Sequence, residues 1–294
     1  MKAFFNRKKT ENDMVPYFVK PMEKMPARLF IYIAVVLLLL LWFFPIYWLF
    51  ATSLKFPVDA SSMPPQFIFK PIMDNYREVF ARGDFVMAYK NSTLISGTAI
   101  SLALLFGLPA AYGISRFRFP LRSLLSFWII STRFIPPVVV VIPFYLIFRT
   151  VGLLNTMEGM IIIHLVAALP VIIWIMYGFF KDVPYELEEA ASIDGASPLR
   201  IFATIAVPLV APGVVSAVII TLIASWNEFI YSMVLTSTNT KTLSVAIYGF
   251  ISYENIEWTR MCAAGVLVIL PILFFTILVQ KYMITGLTFG SVKS

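Results

Sequence analysis

The sequence predicts an all-α membrane protein with six transmembrane helices. Three observations point there. Hydrophobic residues make up 60% of the chain and charged residues only 13%. A soluble domain is about half apolar and about a quarter charged, so this chain lacks the polar groups to cover itself in water. The apolar residues also gather into six runs of the length a bilayer demands. A helix rises about 1.5 Å per residue, and a core of about 30 Å takes about 20 residues. Finally, lysine and arginine are distributed unevenly between the connecting segments.

The first run covers residues 29–52, is rich in leucine and ends among aromatics around Trp42 and Trp48. A polar tail of 28 residues precedes it, and it is longer than a signal-peptide core of about 7–15 residues, so it is read as a retained helix. The second run covers 91–114. The third, 123–148, is interrupted by Pro136-Pro137. The fourth, 159–180, contains Pro170, and the fifth, 207–235, opens with Pro208 and Pro212. The sixth, 261–282, contains Pro271. Membrane helices tolerate interior prolines where neighbours satisfy the freed carbonyls.

Basic residues set the orientation. The segments before run one, between runs two and three and between four and five, together with the C-terminal end from Lys281, hold fourteen lysines and arginines, from Lys2 to Lys293. The other segments hold eight over longer loops. The positive-inside rule therefore puts both termini in the cytoplasm. It predicts a cytoplasmic tail at 1–28, a six-helix domain at 29–283 and a cytoplasmic tail at 284–294. A loop at 53–90 faces outward and a loop at 181–206 faces the cytoplasm. The formal charge of +7 belongs to this membrane edge and implies no nucleic-acid partner. The outer loop mixes prolines with Phe67, Phe69, Tyr76, Phe80 and Phe85. Loops of that size and apolarity pack on something. Both the chain's own helices and an external partner remain open as that something.

The sequence offers no catalytic residue and no metal ligand set. It has no phosphate-binding glycine loop and no H-E-x-x-H pattern, and it carries a single histidine, His164, and a single cysteine, Cys262. Cys262 reads as a packed thiol, and His164 as a hydrogen-bonded packing residue rather than a substrate contact. Charges within a span default to a cavity or a partner, which singles out Arg133 and Glu228. Trp226, Asn227 and Glu228 lie toward the outer end of run five. They read either as packing residues or as part of a permeation path. Arg133 would suit an acidic substrate by charge.

The most punctuated stretch is 186–212. Glu186, Glu188, Glu189 and Asp194 crowd its first half, beside small Ala190, Ala191 and Ala196. Gly195 reads as the residue just past a helix end, where a left-handed conformation carries no Cβ penalty. Ser197 reads as the cap of the next helix, with Pro198 at its first position. The stretch is thus a bracket of two short helices with a small-residue face and an acidic rim. It joins run four to run five, and force on it would tilt both.

Glu189-Ala190-Ala191, then Asp194-Gly195-Ala196, then Ile205-Ala206-Val207-Pro208 resemble the EAA loop of ABC importer permeases. Asn75-Tyr76, Asn91-Ser92, Ala111-Tyr112-Gly113, Trp226-Asn227-Glu228-Phe229 and the tail from Gly286-Leu287-Thr288 are similar to its carbohydrate branch, and closest to the smaller, six-span, maltose-type permeases. The resemblance implies the type I permease fold, with the loop at 181–206 as a coupling loop. It implies a second homologous permease subunit, two ATPase subunits that hold ATP and Mg²⁺, an extracytoplasmic solute-binding protein, and no cofactor in this chain. Glu189 would be the polar contact to the ATPase, Gly195 the bend, and Ala190 and Ala191 the close-packed face, with Asp194, Ala196 and Pro208 completing the coupling set. The expected function is carbohydrate import driven by a separate ATPase. The alternative is a stand-alone carrier or channel for a small polar solute.

Overall fold

The computed structural model describes residues 25–251 and 256–288, with side chains from 29 to 251 and 256 to 277. The expected tail at 1–28 falls mostly outside the described residues, as does the stretch 289–294. Among the described residues every regular element is a helix, apart from one isolated bridge between Ile251 and Ile256. The chain divides into two compact units, Met1–Trp48 and Leu49–Ser294.

In the first unit, α1 (Met25–Ser53, running on into the second unit) is apolar on every side. Leu29, Phe30, Leu41 and Trp42 are all exposed, and Phe44 stacks on Trp48 at 5.9 Å. A helix that is hydrophobic all round is suited to lipid rather than water.

The second unit begins with the outer loop, which holds α2 (Pro57–Ala60) and α3 (Asp74–Ala81). Asn75 Nδ2 donates to the carbonyls of Ser53 and Lys55 at 2.9 and 2.8 Å, and Lys55 Nζ donates to Gln66 O at 2.7 Å. The loop therefore packs on the chain's own helices with its inner face. Met63, Phe67 and Ile68 remain exposed on its outer face. α4 (Gly83–Arg116) begins eight residues before the expected span, because the helix already forms within the loop.

The third and fifth runs are not simple spans. α5 (Arg122–Ser131) passes through a 3₁₀ turn at Thr132–Phe134 and then breaks before α6 (Pro137–Thr150) with a bend of 95°. Two residues in a row precede proline, and both Ile135 and Pro136 are extended, with ψ of 122° and 133°. Proline's Cδ forbids the helical region to the residue before it, so the break follows from Pro136-Pro137. α7 (Met157–Asp182) leads into α8 (Tyr185–Ile193) and α9 (Pro198–Ile201). A π-helical turn, Phe202–Ala206, then enters α10 (Val207–Leu209). The Pro208 ring would clash with the Thr204 carbonyl in a regular helix, and the wider π turn relieves that clash. α11 (Ala211–Trp226) follows a bend of 73° at Val210, with Pro212 in its first turn. It ends at Trp226, nine residues short of the expected boundary, and α12 (Ile230–Leu235) restarts after a break. α13 (Leu243–Tyr248) and α14 (Trp258–Thr288) complete the chain, α14 running past the expected boundary at 283. Among the described residues four helices are long and apolar enough to cross a membrane, or six when each bent pair counts as one span.

α4 and α7 run side by side, with α11 against both. Their core gathers Ala103, Ala111, Ile172, Met176, Phe180, Val210 and Ala217. At Gly213, a Cβ would run into the Phe179 ring, so α11 can approach α7 only because this residue has no side chain. At the end of the bundle near α3, Arg260 pairs with Glu78 and Glu257, and Arg82 reaches Glu257 at 3.2 Å.

Candidate functional site

Two features stand out: the α8–α9 bracket at one end of the bundle, and a largely apolar cavity with several polar groups on its wall nearer the other.

The bracket is built by local chemistry. Val183 is extended because Pro184 follows it, and this ends α7. α8 starts with Glu186 and Glu188 in its first turn, where the helix dipole favours acid. Gly195 closes it at φ +84°, with Gly195 N bonded to Ser192 O and Ala196 N to Ala191 O, both at 3.0 Å. This is the paired closure that a left-handed residue makes possible. Ser197 Oγ accepts from Arg200 N at 3.4 Å, with Pro198 next. The bend and both caps therefore sit at the residues expected.

The acidic rim divides. Glu188 is turned inward and buried. Its Oε1 receives Arg116 Nη2 at 2.7 Å and Nε at 2.8 Å, and its Oε2 receives the Tyr112 hydroxyl at 2.8 Å. Arg116 also donates to Val183 O at 3.0 Å. The bracket is thereby tied to the end of α4. Phe202 adds an aromatic tie, with its ring 5.0 Å from Tyr112 and 6.3 Å from Phe180. Glu189, Ala190, Asp194 and Pro208 are exposed, while Ala191 and Ala196 are half-buried. Beside them Ile193 and Leu199 stand out at 85% and 76% exposure. Reading the sequence missed these two apolar knobs. It also missed the inward turn of Glu188, which carries no mark distinguishing it from Glu189.

The cavity encloses about 440 Å³ between α7, α11, α12 and the break before α6. That volume falls in the range of about 300–1,000 Å³ found for small-molecule sites. Arg133, Asn227 and Glu228 line it, as do His164, Ser225 and Tyr231. Trp226 does not. It is buried among Tyr89, Leu243 and α14, and its Nε1 donates to Val268 O at 3.2 Å. Asn227 and Glu228 both serve the break. Asn227 Nδ2 donates back to Ile223 O at 2.9 Å. Glu228 accepts from Tyr231 N at 2.7 Å and from Ser232 N and Oγ at 3.0 and 2.9 Å, which caps α12.

His164, read as a packing residue, is buried and hydrogen-bonded as expected, yet it also lines the cavity. Its Nδ1 lies 2.6 Å from Ser225 Oγ, which donates to Ser96 Oγ at 2.8 Å. Among the described residues its Nε2 has no hydrogen-bond partner and faces Glu228 Oε2 at 3.9 Å. No sequence signal could have found this juxtaposition, since 61 residues separate His164 from Ser225.

The family model for the inner membrane component of binding-protein-dependent transport systems matches residues 103–288. The chain is 37% identical to the trehalose transport system permease protein SugB of Mycobacterium tuberculosis, over 85% of this chain and 92% of that protein. It is 33% identical to the melibiose/raffinose/stachyose import permease protein MelC of Bacillus subtilis, over 85% and 91%. Among solved structures, a bacterial ABC transporter involved in the import of the acidic polysaccharide alginate superposes with a TM-score of 0.75 at 25% identity. The superposition covers 90% of this chain and 99% of that one.

Proposed function

The chain belongs to the family of inner membrane components of binding-protein-dependent transport systems, and on that premise we propose that it is the permease subunit of an ABC importer for a carbohydrate. It forms half of the translocation pathway beside a second, homologous permease. Two separate ATPase subunits bind ATP and Mg²⁺, and an extracytoplasmic binding protein delivers the sugar. The sugars in the names of its relatives support the substrate class. Both termini and the bracket face the cytoplasm, in line with the basic residues at that end.

One observation carries the mechanism: the bracket is continuous with both helices that wall the cavity. α7 supplies His164 and Val171 to the cavity, and α11 supplies Thr221 and Ser225. Docking of an ATPase against Glu189, Ala190, Ile193 and Leu199 gives it a grip on α8 and α9. The buried Glu188–Arg116 pair keeps the bracket from yielding locally, so its motion passes to α4, α7 and α11 together. Closure of the ATPases on ATP then moves the cavity walls and switches the side from which the cavity is open.

The test is gentle purification of the tagged chain from its native membrane, with mass spectrometry of what accompanies it. A homologous permease and an ATPase should co-purify, and Glu189→Lys should lose the ATPase alone. A chain that emerges by itself, or only with copies of itself, would replace this reading with a stand-alone carrier.

A further inference from the structure

The hydrogen bonds around His164 fix more than its position. Ser225 has one hydroxyl proton and gives it to Ser96. Its oxygen can then only accept from His164, so the imidazole carries its proton on Nδ1. In the neutral ring Nε2 is left as a bare acceptor. It is 3.9 Å from the Oε2 of Glu228, which is also an acceptor. That carboxylate is held in place by the α12 amides and the Ser232 hydroxyl, so it cannot turn away without uncapping the helix. Two fixed acceptors thus face one another on the wall of the cavity, too far apart for a direct bond and with no donor of the chain between them among the described residues. Of the two, Nε2 is the one left unsatisfied, and leaving a buried acceptor so costs about 1–3 kcal/mol, which favours a donor that enters.

We propose that His164 Nε2, beside the Glu228 carboxylate, is a hydroxyl-accepting point, which takes one O–H of a carbohydrate. The inference rests on the carbohydrate reading above and narrows it. At this point of the pathway a hydroxyl is admitted, and a carboxylate or an ether oxygen is rejected, because neither brings a proton. In the structure Nε2 is shut off from solvent, so the hydroxyl enters as the transport cycle separates α7 from the break after α11. A site built to bond a hydroxyl discriminates strongly against the analogue lacking it, because its own groups are then left unpaired.

His164 is the single histidine of the chain, so its ring can be observed in the full-length protein without mutation. The experiment is ¹⁵N NMR of the histidine-labelled chain, assembled with its unlabelled partner subunits and turning over ATP in detergent, with glycerol as the hydroxyl probe and 1,2,3-trimethoxypropane as its donor-free analogue. Without a probe, Nε2 should show a pyridine-type resonance and Nδ1 a pyrrole-type one. Glycerol should move the Nε2 resonance upfield, trimethoxypropane should not, and Ser225→Ala should mix the tautomers and weaken the glycerol response. Protons on both nitrogens at the outset would overturn the proposal, showing an imidazolium paired with Glu228. An equal response to both probes, or to neither, would overturn it as well. Co-purification of the ATPase reads out independently, so a recruited ATPase beside a failed glycerol response would remove the subsite alone and leave the importer standing.

Discussion

Two inward-turned glutamates stand at helix boundaries of this chain, and their surroundings differ in kind. Glu188, in the bracket, meets a guanidinium and a phenol that fill both of its oxygens. Glu228, beside the cavity, is held by backbone amides and a serine, and the ring nitrogen nearest to it stops at 3.9 Å. The first arrangement is closed and stiff, as a part that transmits force must be. In the second the carboxylate is equally engaged, and the capacity left unspent is that of the His164 ring nitrogen beside it, where a passing molecule can use it. The lesson is that burial of a charge does not by itself mark a binding residue. What matters is whether a polar group left without a partner stands beside it.

The largest effect should come from breaking the closed arrangement. Glu188→Ala strands the Arg116 guanidinium without its partner, and removing one member of a buried pair costs about 3–5 kcal/mol. Thermal unfolding in detergent should show the loss, and the double variant Glu188→Met with Arg116→Met should recover much of it. If the single variant melted like the parent, the bracket would not be held as described. A middle effect should come from Gly213→Ala, which pushes a methyl into the Phe179 ring. Overpacking of this kind costs about 1–3 kcal/mol, and the same melting curve would register it. The smallest loss of stability belongs to Gly195→Val. A side chain forced into the left-handed region costs about 1–2 kcal/mol. Its functional effect should be larger than that figure suggests, with ATP hydrolysis continuing while uptake falls. Coupled uptake at the parental rate would show that the bend is not part of the drive.

Local signals in the sequence were sufficient for the bracket. Gly195, Ser197 and Pro198 act on their immediate backbone, so their roles could be read from the chain alone. The break at Pro136-Pro137 was visible for the same reason. Its 95° angle was not, because that depends on what the two halves pack against. Three glutamates within four positions could not be ranked, since only the distant Arg116 and Tyr112 choose Glu188. The same limit applies to run five. Trp226, Asn227 and Glu228 are neighbours in sequence, yet the end of α11 sends the indole into the core and the carboxylate toward the cavity. His164 acquires its meaning from Ser225 and Ser96, each on another helix.

The contact between Gly213 and Phe179 also has a consequence on a longer timescale. The ring occupies the space any side chain at 213 would need, so the two positions are not free to drift separately. A lineage descending from this sequence could gain an alanine or serine at 213 only after the residue at 179 had shrunk. The reverse order would pass through a destabilised ancestor. The pair should therefore vary jointly or stay fixed, and a reconstructed series of intermediates would reveal which route was open.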